Sequence, residues 1–124
     1  MRISFLLFLV LCVTGCYQTE RHCENYKTGD FYSEVDINGR IYKSTFSRNT
    51  TLQVESFEGK LDSSQVRWIN DCEMIFKTMS PKNMAERKDI HLKILTTTDS
   101  SYTFEYSYVG ENIKQRGIAY KAKK

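Results

Sequence analysis

Val66-Arg67-Trp68-Ile69-Asn70-Asp71-Cys72-Glu73-Met74-Ile75-Phe76 decides the fold of this chain. Val66 and Trp68 share one face of an extended segment. Asn70-Asp71 suits a turn, and Cys72, Met74 and Phe76 share the face that follows. The stretch reads as strand, turn, strand. It holds the only tryptophan and one of the four cysteines of the chain.

The same pattern extends in both directions. Upstream, Phe31, Ser33, Val35 and Ile37 alternate with polar residues, and Asn38-Gly39 follows. Asn-Gly between alternating runs is a strong hairpin signal, because both residues accept the positive φ of a type I′ turn. Arg40 to Arg48 reads as the return strand, Asn49-Thr50 as a turn, and Thr51 to Phe57 as a strand with Leu52 and Val54 opposite Gln53 and Glu55. Glu58 to Ser64 reads as a loop by composition. Downstream, Asp89 to Thr97 alternates through Ile90, Leu92 and Ile94. Tyr102, Phe104, Tyr106 and Tyr108 form the most regular period-2 run. Ile113 to Lys121 is a last strand, with a kink or bulge expected at Gly117. Ser80-Pro81 predicts one short helix over residues 81–88, serine capping and proline in the first turn.

About eight short strands on short connections must run antiparallel. The predicted fold is therefore an all-β meander, lipocalin-like in outline, either a small barrel or a curved sheet. Closure into a barrel would remove exposed edges.

The first 15 residues have another character. Arg2 precedes an apolar run from Ile3 to Val13, too short to span a membrane, for which about 20 residues are needed. This is the pattern of a signal peptide. Val13-Thr14-Gly15-Cys16 resembles the bacterial lipobox, which implies cleavage before Cys16 and a diacylglycerol on its thiol. Each buried lipid CH₂ contributes about 0.8 kcal/mol of membrane affinity. The expected organisation is a signal peptide over residues 1–15, a lipidated tether over 16–22 and one β domain over 23–124. Export also settles the cysteines: Cys12 leaves with the signal, Cys16 carries lipid, and Cys23 and Cys72 are left to pair. A bridge closing about 50 residues stabilises the fold by about 4 kcal/mol on chain-entropy arithmetic.

The composition speaks against several functions. Removal of Arg2 leaves 17 basic and 15 acidic residues, interspersed except at Lys121-Ala122-Lys123-Lys124, so no basic face for nucleic acid is expected. His22 and His91 are the only histidines, no Cys-x-x-Cys occurs, and the six glycines form no phosphate loop. No metal, cofactor or catalytic set is read, and the chain is expected to be a non-enzymatic monomer. The candidate ligand contacts are aromatic: Tyr102, Phe104, Tyr106 and Tyr108 on one strand face, with Trp68 and Tyr120 near them. In a small barrel such a face is either packed core or cavity wall. Asn70-Asp71 reads as a turn rather than a ligand contact, and Asn49-Thr50-Thr51 as a sequon without weight in a bacterial lipoprotein.

Cys23 to Phe31 and Val66 to Glu73 resemble segments that recur in small lipoproteins of Bacteroidota. The stretches Ser80 to Glu86, Lys93 to Thr97 and Tyr102 to Gly110 look similar to the same group. The resemblance covers nearly the whole mature chain and implies the architecture, the export and the cysteine pair. Members often carry the name of DNA topoisomerase IV. That activity needs a large DNA gate, an activated tyrosine and magnesium, and none of these parts is written here. The expected function is that of an envelope lipoprotein, anchored through Cys16 to the outer membrane, that binds a small apolar ligand or an envelope partner. The alternative is a structural or assembly role with a filled interior.

Overall fold

The computed structural model describes residues 21–122; Cys16 and the signal segment lie outside them. A 3-10 helix, Cys23–Tyr26, leads into eight strands: β1 Gly29–Ile37, β2 Arg40–Arg48, β3 Leu52–Phe57, β4 Lys60–Asn70, β5 Glu73–Thr78, β6 Ile90–Thr97, β7 Ser101–Tyr108 and β8 Gln115–Lys121. Each strand pairs antiparallel with the next, and β8 returns to β1 through a register running from Phe31↔Lys121 to Val35↔Gly117. The barrel is closed, so no sheet edge is left unpaired.

Alternation decides which side chains point inward. Phe31, Phe46, Val66, Met74, Phe76, Ile94, Tyr102, Phe104 and Ala119 are buried. They form one core cluster with Cys23 and Tyr26 of the 3-10 helix. Cys23 is bridged to Cys72, with 5.2 Å between their Cα atoms. The 3-10 helix thereby closes one end of the barrel, the end that carries the turns after β2, β4 and β6.

Four sequence expectations are corrected. Residues 58–64 are not a loop: Glu58 and Gly59 take φ of 50° and 79°, a two-residue hairpin turn, and β4 begins at Lys60. Four polar residues in five hid the strand. Residues 81–88 form no helix; Asn83 Oδ1 accepts the Glu86 N–H at 2.9 Å and Glu86 Oε2 the Lys82 N–H at 2.5 Å, closing successive turns. The segment has no apolar stripe to stabilise a longer helix through packing. Gly117 carries no bulge, since its register with both β7 and β1 is continuous. It is a point of close approach: a Cβ there would lie 2.7 Å from Phe104 Cζ and 2.8 Å from the Glu34 carbonyl oxygen. The irregularities fall instead between Trp68 and Asn70 and between Ile94 and Thr96. Finally, β8 starts at Gln115 rather than at Ile113.

Candidate functional site

The half of the barrel away from the 3-10 helix is not filled. It encloses a cavity of about 460 Å³, open between the β1–β2 and β3–β4 hairpins and the segment that joins β5 to β6. Ligand pockets typically span about 300–1,000 Å³.

The floor is built on Arg48, the last residue of β2 and only 4% exposed. Its Nε donates to the Lys27 carbonyl at 3.3 Å and Nη1 to Gln53 Oε1 at 3.0 Å. Nη2 donates to the Tyr26 carbonyl, and both terminal nitrogens lie 3.3 Å from the Tyr102 hydroxyl. All five N–H groups thus meet neutral acceptors. The guanidinium carbon lies 5.2 Å from the Phe31 ring centroid, 5.4 Å from Phe46 and 5.7 Å from Trp68. Burial raises the Tyr102 hydroxyl pKa, and the charge of Arg48 works against that rise. Arg48 ties the 3-10 helix to β2, β3 and β7.

Above the floor the cavity has two unlike walls. Phe76, Ile90, Leu92, Phe104, Tyr106 and Tyr108 form an apolar wall from β5, β6 and β7. Ser44, Gln53, Glu55, Asp62 and Ser64 form a polar wall from β2, β3 and β4. The polar wall follows from register. Glu55 stands opposite the inward Phe46, and Gln53 opposite the inward Arg48, so β3 turns Gln53, Glu55 and Phe57 to the interior. Asp62 and Ser64 on β4 face Glu55 and Gln53. Ser33 and Ser44 bond to each other at 2.8 Å. Burial, and after it the charge of Asp62, raise the Glu55 carboxyl pKa, while a bond from Ser44 opposes the rise. Tyr106 is raised by burial and then by the charge of Glu55.

Of the six aromatic candidates, Tyr102, Phe104, Tyr106 and Tyr108 line this cavity, Tyr102 at the floor and Tyr108 at the rim. The structure separates Trp68 and Tyr120 from them. Trp68 belongs to the closed end, with Lys27 Nζ 5.3 Å from its ring centroid and no acceptor for its buried Nε1 among the described residues. Tyr120 lies on the outer surface and stacks on Tyr32 at 4.9 Å. The inward Ala119 next to it fixes that parity. Asn70 and Asp71 also lie at the closed end: Asn70 Oδ1 accepts the Cys72 N–H at 2.9 Å, and Asp71 pairs with Lys27 at 3.0 Å. His91 pairs with Glu73 at 3.0 Å. Asn49 Oδ1 accepts the N–H of Leu52 at 2.8 Å, holding the β2–β3 turn.

Sequence reasoning missed Arg48, Gln53, Glu55 and Asp62. The available signal was parity: Phe57 shares its face with Gln53 and Glu55, so either side of β3 could have been the inner one. Among the described residues no group of three His, Cys, Asp or Glu side chains could hold a metal ion, and no helix is long and apolar enough to cross a membrane. Comparison with protein-family models, with curated proteins and with solved structures returned no match.

Proposed function

We propose that this chain is an exported, lipid-anchored binding protein of the cell envelope, whose barrel takes a small, largely apolar molecule through its open end. The observation that carries this reading is the unfilled half of the barrel. A fold that served only as a scaffold would gain by packing that volume, since each missing buried methylene forfeits about 0.8 kcal/mol. One open cavity, mostly apolar and with a few convergent polar groups, is the usual form of a small-ligand site. Anchoring rests on the lipobox-like Val13 to Cys16.

Ser64 lines the cavity and forms no side-chain hydrogen bond among the described residues, so Ser64→Phe can fill the space from the polar wall. With a neutral fluorescent probe such as N-phenyl-1-naphthylamine, the wild type is expected to give saturable enhancement and Ser64→Phe at least a tenfold weaker affinity. Equal enhancement by both would place the probe elsewhere and remove the cavity reading. For the anchor, Cys16→Ala is expected to release the protein from membranes, and retention at wild-type levels would contradict it.

A further inference from the structure

We propose that the cavity takes an amphipathic amine, its ammonium held by the Glu55 and Asp62 carboxylates and its apolar body lying along Phe76, Leu92 and Phe104. This rests on the binding reading above and adds the chemistry of the ligand.

The cavity is the feature that points to a ligand; the unlike walls say which kind. Glu55 and Asp62 are directly opposed neighbours on β3 and β4. Opposed like charges destabilise a sheet, and their Cβ atoms lie only about 5 Å apart. Neither carboxylate has an ion-pair partner among the described residues. The other cations around the cavity are engaged elsewhere: Lys43 reaches Glu34 at 3.9 Å, Lys88 pairs with Glu111 at 3.0 Å, and Arg48 has committed all five donors. The groups facing Glu55 are Asp62 on β4, Ser44 on β2 and Tyr106 on β7. None of them can supply a positive charge. At the rim Glu86 adds another carboxylate. Two acids kept inside a half-desolvated space, with no cation of their own, attract one from outside more strongly than surface acids do. An anionic ligand fits less well, because it would have to pass these acids to reach an arginine whose donors are already occupied. The raised Glu55 pKa agrees with an empty pair. An ammonium would draw that pKa down and release a proton, so amine affinity should tighten as pH rises above the ordinary carboxylate range.

The test is calorimetric titration of the full lipoprotein in zwitterionic nanodiscs, corrected for empty nanodiscs. The probes are 4-phenylbutylamine, 4-phenylbutan-1-ol and 4-phenylbutanoate. The amine is expected to bind at least tenfold more tightly than the alcohol. Glu55→Gln/Asp62→Asn should lose at least tenfold for the amine and nothing for the alcohol. The double variant removes a repulsion, so its thermal transition should not fall below that of the wild type; the single variants provide the same reading if it does. Equal affinities for amine and alcohol, tightest binding of the carboxylate, or an unchanged amine affinity in the variants would overturn the amine assignment and leave the binding reading standing. If no probe binds, both fall.

Discussion

Residues that a sequence reading assigns to the outside turn out to shape this molecule's interior. Arg48 is the clearest case. Its bonds to the carbonyls of Tyr26 and Lys27, to Gln53 and to Tyr102 all become unmet if the guanidinium is removed. Each buried polar group left unpaired costs about 1–3 kcal/mol. Arg48→Met is therefore expected to destabilise the fold by about 3 kcal/mol or more in urea denaturation, and Arg48→Lys by a large part of that, since an ammonium cannot reproduce the planar fork. A loss below about 1 kcal/mol for Arg48→Met would show that the arginine does not hold the floor. Glu55 gives a second prediction through its raised pKa. The folded state holds the proton more tightly than the unfolded chain, whose ordinary value is 4.5. Stability should then fall as pH rises from that value through the higher folded one. Glu55→Gln removes this dependence, so wild type should lose stability relative to Glu55→Gln across that window. A difference between the two that is flat in pH would contradict the buried, acid-facing placement. These positions were not legible in the sequence because a polar residue in a period-2 run is read as outward by default. β3 could be oriented only through its partner strand, where Phe46 and Arg48 stand opposite Glu55 and Gln53.

At the level of elements, most of the fold was readable. Alternation marked β1, β2, β6 and β7, and Asn38-Gly39 marked the first turn. The start of β4 was not readable, because Lys60 to Ser64 offers Leu61 as its only apolar residue and Leu61 is exposed. That segment is a strand because its neighbours hold it, paired from Phe57↔Lys60 to Leu52↔Gln65. The expected helix failed for the opposite reason: a good capping signal at Ser80-Pro81 precedes a segment with nothing to bury. Gly117 was noticed for the wrong role. The approach of β8 to Glu34 and Phe104 leaves no room for a methyl group. Gly117→Ala is expected to cost about 1–3 kcal/mol, as overpacking does, measured as a shift of the denaturation midpoint; an unchanged midpoint would mean that the strands move apart freely. The closing 3-10 helix is held by the Cys23–Cys72 bridge. The paired change Cys23→Ser/Cys72→Ser should lower stability by about 2–5 kcal/mol, and non-reduced peptide mapping should find the two cysteines in one linked fragment. Free alkylation of both in the native protein would contradict the bridge.

At the scale of the molecule, the barrel is tight at one end and open at the other. The closed end gathers the disulfide, Arg48 and the aromatic cluster around Tyr26, Phe31 and Tyr102. The open end holds the cavity with its apolar and acidic walls. This division was half visible beforehand: the aromatic face of β7 was read, but not that it changes from core at Tyr102 to cavity wall at Tyr106 and Tyr108. Strand alternation reports which face is inward and says nothing about depth along the barrel axis. Depth is what separates a stabilising side chain from one that meets a ligand. The central claim is that the open end is built to be occupied, and native mass spectrometry of the protein purified from its own membranes tests it most directly. The account predicts a mass above that of the diacylated chain, returning to the bare lipoprotein on denaturation and absent in Ser64→Phe. Bare lipoprotein alone, in the wild type as in Ser64→Phe, would contradict it.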